Sequence, residues 1–298
     1  MNKIAVTTTI NPPTETTVKI AANEDWTLIV VGDLKTPHEL YDRLNCIYIS
    51  PKDQEKQFKE LSDAIGWNCI QRRNIGFVKA YELGAEIIAT IDDDNIPYDH
   101  WGQDLSVGKH CSIDLWKAEN GVFDPLSTTE HNQLWHRGYP IDLIQTKNEI
   151  RSLGKENRKI LVQADLWDGD PDIDAICRIA MSPMVTFDEI SPFGSSETGP
   201  FNSQNTFIAR EAIPHYMVLP HVGRMDDIWG AYLFQQMYPG SVMYNGPSVR
   251  QDRNVHNLVT DLENELLGYR HTMDFLEGRY TLPSKTLKAL DCYYKCFV

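Results

Sequence analysis

The chain has 298 residues, 42% of them hydrophobic and 23% charged, which is apolar enough to bury a large core and excludes gross disorder. Its formal net charge of −14 excludes sequence-independent nucleic-acid binding, because that function requires many lysine and arginine side chains on one surface. Neither a signal peptide nor an apolar run long enough to span a bilayer is visible, which predicts a cytosolic protein and leaves peripheral contact with a membrane open.

The first hundred residues alternate short apolar runs with helical patterns. Buried strands are predicted at residues 4–8, 26–31, 46–50 and 86–91, and helices at residues 14–22, 51–65 and 73–83. Strands that alternate with helices predict an α/β fold with a mostly parallel central sheet flanked by helices. The ligand of such a sheet lies outside the carboxyl ends of the strands, so residues at those ends are candidate site residues.

The second half of the sequence is less regular. A strand is predicted at residues 202–209, an amphipathic helix at 227–237 and a longer helix at 258–276. Residues 182–200 are rich in Gly, Pro and Ser and predict long loops. Because no clear linker interrupts the chain, we expect one domain that covers residues 1–298.

Three adjacent carboxylates, Asp92, Asp93 and Asp94, follow the fourth predicted strand. They repel one another unless a cation compensates their charge. Strand alternation directs Asp92 and Asp94 to the same side, and such a pair suits Mn²⁺ or Mg²⁺ together with water and phosphate oxygens. The ion would neutralise the charge that develops on a diphosphate leaving group. A solvated acidic turn is the alternative interpretation.

Polar residues also follow the first two predicted strands. Thr8 ends the first strand, Asn11 lies in the loop behind it, and Asp33 follows the second strand. The carboxyl ends of parallel strands meet at one edge of a sheet, so these residues are expected near the acidic triplet. They are candidates to hold a nucleoside, with Asp33 accepting hydrogen bonds from a ribose or a base. A plain Gly-Asp turn is an equal interpretation of Asp33.

Two arginines, Arg72 and Arg73, precede the helix that leads to the triplet. Guanidinium groups bind phosphate oxygens in bidentate fashion, and the positive end of a helix dipole adds to that attraction. Asn74 is predicted to cap the helix, and Gly76 to permit a close approach to the backbone. Simple surface charge is the alternative for both arginines.

Asp226 and Asp227 open the helix predicted after residue 226. One of them is a candidate general base for an acceptor hydroxyl, although the helix dipole alone would favour carboxylates at this position. Further along, Arg250 is predicted to close over the diphosphate and His256 to complete the metal shell. A structural role is the alternative for a lone histidine.

Several segments resemble two groups of glycosyltransferase-related proteins. Residues 4–37 (IAVTTTINPPTETTVKIAANEDWTLIVVGDLKTP) and 72–95 (RRNIGFVKAYELGAEIIATIDDDN) resemble the STELLO family. Later segments resemble the reversibly glycosylated polypeptides, which are the plant UDP-arabinopyranose mutases: residues 137–140 (RGYP), 165–174 (DLWDGDPDID), 205–210 (NTFIAR) and 224–229 (RMDDIW).

The resemblance implies the Rossmann-like GT-A fold, with an irregular acceptor-side half. It implies a nucleotide-diphosphate-sugar donor, UDP-linked in those families, and a divalent ion at Asp92 and Asp94 with Asp93 close to the donor. In the mutase family the arginine of the RGYP-like motif is the site of sugar attachment, a role that carries over to Arg137.

Three functions are therefore expected as alternatives. The first is metal-dependent transfer of a sugar from a UDP-sugar to a hydroxyl of a glycan or another acceptor. In this case residues 1–110 would bind the donor, and residues 111–298 would hold the acceptor, the catalytic aspartates and the C-terminal helix. The second is a UDP-sugar mutase or self-glycosylating protein that uses Arg137. The third is a non-catalytic scaffold that binds sugar nucleotides.

Overall fold

The structure is a computed structural model that describes residues 1–252 and 257–298. Within these ranges eleven strands share one sheet and α-helices pack around it. The strands are β1 Lys3–Thr9, β2 Thr27–Gly32, β3 Ile47–Ile49, β4 Ile87–Ile91, β5 Asn95–Pro97, β6 His110–Ala118, β7 Ile150–Lys159, β8 Val162–Gly169, β9 Phe193–Ser195, β10 Asn205–Ala209 and β11 Val242–Gln251. The helices are α1 Glu15–Ala21, α2 Pro51–Gln57, α3 Lys59–Ile65, α4 Arg73–Glu82, α5 Ala175–Met181, α6 Asp226–Met237, α7 Leu258–Leu276 and α8 Ser284–Lys295.

The sheet order is β3-β2-β1-β4-β10-β8-β11-β9-β6-β7, with β5 paired to β11. Strands β3, β2, β1 and β4 are parallel to one another. Strand β10 is antiparallel to both β4 and β8, so β8 and its parallel neighbour β11 run in the same direction as β4. The strands that bear the candidate site therefore end at one edge, here called the carboxyl edge. The predicted α/β class with a sheet flanked by helices is confirmed.

Helix α4 packs directly on the parallel half of the sheet. Strand β4 is buried along its whole length, which explains its continuous apolar sequence. A Cβ at Gly76 of α4 would lie 2.4 Å from Val6 Cγ1 and 2.9 Å from Val31 Cγ2. The close approach predicted at Gly76 is thus an approach to the sheet, and not to a ligand.

Local sequence signals predicted the first helix correctly and the second helix only in part. Thr14 caps α1 in a reciprocal capping box with Thr17, because the hydroxyl of each accepts the backbone N–H of the other. The single helix predicted at residues 51–65 is wrong in one respect, since Phe58 (φ −131°, ψ 37°) separates α2 from α3. Phe58 is buried, so packing of its ring favours the break over a continuous helix.

Two further features concern the organisation of the chain. The loop predicted at residues 182–200 contains the short strand β9, which pairs with β6 and β11. The single domain and its division near residue 110 stay predictions. Across residues 1–252 and 257–298, the helices are too short or too polar to cross a membrane.

Candidate functional site

Two adjoining clefts open at the carboxyl edge. The polar cleft, about 190 Å³, is lined by several predicted residues: Thr8, Asn11, Asp33 and Asp93. The acidic cleft, about 180 Å³, is lined by others: Asp92, Asp94, Arg137, Asp226 and Asp227. Ile70 lines both clefts. A larger cavity of about 440 Å³ lies beside Ile87 and Arg210, at the opposite edge, and none of the predicted residues lines it.

The loop after β1 is tied to the acidic triplet. Asp93 Oδ2 accepts hydrogen bonds from the hydroxyl of Thr9 and from Asn11 Nδ2, the latter at 2.9 Å. The carbonyl of Asn11 accepts a further hydrogen bond from the Tyr41 hydroxyl at 2.8 Å. Asp93 therefore fixes the position of Asn11 at the rim of the polar cleft. This structural role was not predicted, because Asp93 was expected only to lie close to the sugar donor.

Asp33 lies at the base of the polar cleft and is 1% exposed. Its Oδ1 accepts from the Leu34 backbone N–H (2.6 Å) and its Oδ2 from that of Cys69 (3.0 Å). Each oxygen keeps further acceptor capacity for an N–H or O–H group of a ligand. The hydroxyl of Thr8 donates to the Val31 carbonyl at 2.8 Å and can still accept. Thr8, Asn11 and Asp33 are thus brought together as the strand ends predicted.

Arg73 lies beneath the acidic cleft and is 1% exposed. Its Nη2 forms an ion pair with Asp92 Oδ1, and its Nη1 donates to the hydroxyls of Thr90 (3.1 Å) and Ser203 (2.9 Å). Burial raises the pKa of Asp92, and the charge of Arg73 opposes that rise. The direct phosphate contact predicted for Arg73 is wrong, because its guanidinium is covered and holds Asp92 in place from below.

Arg72 is fully buried on the other side of the helix start. Its Nε and Nη2 donate to Gln54 Oε1, and Nη2 also donates to the Ser62 hydroxyl. Its Nη1 donates to the carbonyls of Ser62 (3.1 Å) and Gly66 (3.0 Å). The guanidinium carbon lies 3.7 Å from the centre of the Trp67 ring. All five N–H groups are engaged, so the predicted phosphate contact of Arg72 is also wrong.

Replacing Arg72 with methionine is expected to lower the free energy of unfolding by about 2–4 kcal/mol, because several buried oxygens lose their donor. The affinity for a nucleotide should stay within a few-fold of that of the wild type. Urea unfolding and calorimetry measure the two quantities. Arg151→Met, on the exposed strand β7, is the matched control and should change neither. A large loss of affinity in folded Arg72→Met would restore Arg72 as a phosphate ligand.

Asn74, Arg250 and His256 were also predicted as ligand-binding residues. Asn74 Nδ2 donates to the Val218 carbonyl (2.7 Å) and its Oδ1 accepts from the Val218 N–H (3.0 Å), while α4 begins without a side-chain cap. Its predicted roles as a cap and a ligand contact are therefore wrong. Arg250 is exposed, donates to Asp252 at 3.1 Å and lines neither cleft. His256 lies outside the described residues.

Arg137 is buried between two carboxylates. Its Nε and Nη2 donate to Asp172 (2.9 and 3.0 Å), and its Nη1 and Nη2 donate to Asp227 (3.0 and 3.1 Å). The remaining Nη1 proton goes to the carbonyl of Arg224. Burial opposes the charge, but the two carboxylates outweigh it and raise the pKa of Arg137 further. With every N–H engaged, no nitrogen is left to attack a sugar, which contradicts the predicted attachment role.

The two aspartates at the start of α6 differ in environment. Asp227 accepts from the Ser203 backbone N–H (2.9 Å), and although burial raises its pKa, the neighbouring Arg137 lowers it overall. Asp226 accepts from Gln71 Nε2 at 2.6 Å and lies 3.9 Å from Arg137 Nη1. Burial and the charge of Asp227 raise the pKa of Asp226 to about 7. Asp226 is therefore suited to exchange a proton near neutral pH, whereas Asp227 is a fixed anion.

Two residues at the acidic cleft were not predicted: Gln71 contacts one of its lining residues, and Arg224 lines it. Gln71 lies in the 3₁₀ turn Ile70–Arg72 and contacts Asp226 across 155 positions of sequence, a contact that no local pattern indicates. Arg224 also lines the cleft, and its side chain is 23% exposed. The Nε of Arg224 donates a hydrogen bond to Glu265 Oε1 at 2.8 Å. The position of Arg224, two residues before Asp226, was the available signal for a cation at this cleft.

The carboxylates of the acidic cleft fit a divalent ion that arrives with a ligand. Both Asp92 and Asp94 line the cleft, and Arg73 takes only Oδ1 of Asp92. In the part of the chain that the structure describes, no group of three or more His, Cys, Asp or Glu side chains is arranged to hold an ion. Mn²⁺ and Mg²⁺ are commonly held by one or two carboxylates plus water and substrate phosphates. The carboxylates of Asp92 and Asp94 therefore fit such an ion when it is bound together with a phosphate.

The solved structures that resemble this chain include distant likenesses. No protein-family model and no curated protein matches the chain. Similar solved structures include glucosyl-3-phosphoglycerate synthase from Mycobacterium tuberculosis with phosphoglyceric acid, at 13% identity and a TM-score of 0.48, covering 95% of this chain and 81% of that chain. Another is the same enzyme with Mn²⁺, UDP and glucosyl-3-phosphoglycerate, at 12% identity, a TM-score of 0.48 and the same coverage. Likenesses this distant do not carry a function over.

Proposed function

We propose that the protein is a GT-A-type glycosyltransferase that moves a sugar from a nucleoside-diphosphate sugar to a hydroxyl acceptor with the help of Mn²⁺ or Mg²⁺. The observation that carries this proposal is the pair of adjoining clefts at the carboxyl edge, with the acidic triplet between them. Asp93 lines one cleft, while Asp92 and Asp94 line the other. A diphosphate that joins a nucleoside to a sugar would lie across this division.

The polar cleft would take the nucleoside. Ile10 and Ile70 are 49% and 44% exposed and offer apolar surfaces on which the faces of a base can pack. Asp33, Thr8 and Asn11 offer hydrogen-bond acceptors and donors to its polar edge and to the ribose. The sequence resemblance to enzymes of UDP-sugars favours uridine as this nucleoside.

The acidic cleft would take the diphosphate and the sugar. Asp92 and Asp94 would hold a divalent ion, whose positive charge would stabilise the departing diphosphate. Arg73 keeps Asp92 in position through their buried ion pair. Arg137 and Arg224 both line this cleft, but the N–H groups of Arg137 are all engaged, so Arg224 rather than Arg72, Arg73 or Arg137 is proposed to contact the phosphates.

Asp226 is proposed as the general base that removes the proton of the acceptor hydroxyl. Gln71 donates to its Oδ2, and Oδ1, which lies 3.9 Å from Arg137 Nη1, would be the oxygen that meets the acceptor. Asp227 and Arg137 form a buried pair that keeps the start of α6 in position. One base acting on the attacking hydroxyl corresponds to direct displacement at the sugar carbon, which inverts its configuration.

Replacing Asp94 with asparagine is expected to remove the Mn²⁺-dependent part of the thermal stabilisation by UDP. A ligand at about 100 times its dissociation constant adds about 2.7 kcal/mol of stability, so its loss shifts the melting temperature by several degrees. Thermal-shift measurements with UDP-sugars, with Mn²⁺ or with EDTA, test this. Asp99→Asn, at an exposed carboxylate a few residues away, is the matched control. Undiminished donor turnover in Asp92→Ala/Asp94→Ala would refute the proposal, and UDP binding without turnover of any donor would favour a scaffold.

A further inference from the structure

A third cavity of about 270 Å³ lies where β6, β7 and β9 meet. Its lining combines one indole with hydroxyls and carboxylates: Trp116, Thr128, Ser152, Ser191, Asp114 and Glu189. None of these residues lines the polar or the acidic cleft. The proposed reaction therefore leaves this cavity without a role.

Trp116 differs from the tryptophans of the core. Trp167 and Trp229 are 1% and 0% exposed, and Trp229 stacks on Phe275 with ring centres 4.6 Å apart. Trp116 is only half-buried, and its indole forms part of the cavity wall. Its backbone is fixed, because its carbonyl accepts from the Ser195 hydroxyl (3.0 Å). An ordered aromatic surface that remains partly open to water is one that the apolar face of a ring-shaped ligand can cover.

The polar groups around Trp116 are mainly hydrogen-bond acceptors. Within the described ranges, the side chains of Asp114 and Glu189 form no hydrogen bond or ion pair. The Thr128 hydroxyl donates to the Pro125 carbonyl at 3.0 Å and keeps its acceptor capacity. No lysine or arginine lines the cavity. A ligand with several O–H donors and no negative charge satisfies such a lining, whereas a uronic acid or a sugar phosphate would be repelled.

We infer that this cavity is a binding subsite for a neutral sugar ring, stacked on Trp116 and hydrogen-bonded through its hydroxyls to Asp114 and Glu189. A role as an accessory site for the acceptor or product glycan rests on the proposed transferase function, whereas binding itself does not. Because the site takes a single ring and stays open to water, its dissociation constants are expected in the millimolar range.

Fluorine NMR of the full chain labelled with 5-fluorotryptophan tests the subsite. The probes are cellotetraose, maltotetraose and xylotetraose, and Trp116→Phe assigns the Trp116 resonance. At least one probe is expected to shift that resonance in a saturable way. The Trp67 resonance is the internal control, because Trp67 is also half-buried but is covered by Arg72. Asp114→Asn should fold normally and weaken binding by roughly tenfold, since it replaces a charged acceptor with a neutral amide.

The two proposals fail in different ways in this experiment. If none of the three oligosaccharides shifts the Trp116 resonance while UDP with Mn²⁺ binds elsewhere, the sugar subsite is overturned and the proposed function stands. If an oligosaccharide shifts Trp116 but no nucleotide binds, the subsite stands and the proposed function falls. A stronger response to tetramethylammonium than to any sugar would overturn the inference in favour of a cation site.

Discussion

The variant Asp226→Asn is expected to lose sugar transfer by about 10²–10⁴-fold, because positioned general-base catalysis is typically worth that much. The same variant is expected to be more stable than the wild type above neutral pH. The two effects have one cause, which is the burial of Asp226 next to the fixed anion Asp227. A carboxylate that is costly to ionise is also one that holds a proton well near neutral pH.

The direction of the stability change follows from proton binding. The pKa of Asp226 rises from its ordinary value of 3.8 to about 7 in the folded protein. Between these pH values the folded state holds more protons than the unfolded chain, so this group lowers stability as the pH rises. Asparagine cannot ionise and removes the penalty. At about 1.4 kcal/mol per pKa unit, Asp226→Asn gains at most about 4 kcal/mol at about pH 8 and close to nothing at about pH 4.

Urea unfolding at several pH values, together with donor turnover, measures both effects. Asp174→Asn is the matched control, because burial raises the pKa of Asp174 to about 7 as well, although it caps α5 and lines neither cleft. It should show a similar pH-dependent gain in stability and keep its turnover within a few-fold. Normal turnover in Asp226→Asn would remove Asp226 from the proposed mechanism and leave the base unassigned.

The locations of residues that depend on strand periodicity, strand direction or helix capping could be predicted from the sequence. The apolar run of β4 ends at Asp92, and parallel strands must end at the same edge, so Thr8, Asn11 and Asp33 meet near the triplet as expected. The reciprocal bonds of Thr14 and Thr17 likewise depend only on residues three apart. Strands β1 to β4, the first helix and the edge that carries the clefts therefore follow from periodicity, capping and strand direction.

The arginines show why the rest could not be predicted. Arg72 and Arg73 are adjacent, yet Arg72 donates to Gln54 of α2 and Arg73 forms an ion pair with Asp92 beneath the acidic cleft. Their partners lie on different elements, and a sequence pattern does not reveal which partner each side chain meets. A pair of cations before a helix looks the same whether it binds phosphate or is buried. Arg224, which does line the cleft, had only its position shortly before the aspartate pair as a signal.

Strands β7 and β9 were missed for a related reason. The ten residues of β7 are largely exposed and include several charges, so they show neither a buried run nor an apolar alternation. They form a strand because β6 supplies a partner. Strand β9 has three residues and depends on two distant partners. Pairing of this kind is tertiary and leaves little trace in composition.

Arg137→Met is expected to destabilise the fold by about 3–5 kcal/mol, because it leaves Asp172 and Asp227 buried without their shared cation. Neutralising the carboxylates as well, in Arg137→Met/Asp172→Asn/Asp227→Asn, should restore part of this loss, since a neutral cluster avoids the unpaired buried charges. Urea unfolding of the single and triple variants measures the recovery. Arg151→Met, with its exposed ion pair to Glu119, is the control and should change stability by less than about 1 kcal/mol.

The same residue decides between transfer and self-glycosylation. Every N–H group of Arg137 is engaged, so intact-mass measurements of the wild type after incubation with UDP-sugars should show no adduct at this position. Attachment there would require a guanidinium nitrogen to leave two carboxylates and lose its proton, although those carboxylates hold its pKa high. A sugar mapped to Arg137, with unchanged stability in Arg137→Met, would reverse this conclusion. Arg137 would then be a reacting group, and the buried ion pairs would have to open during the reaction.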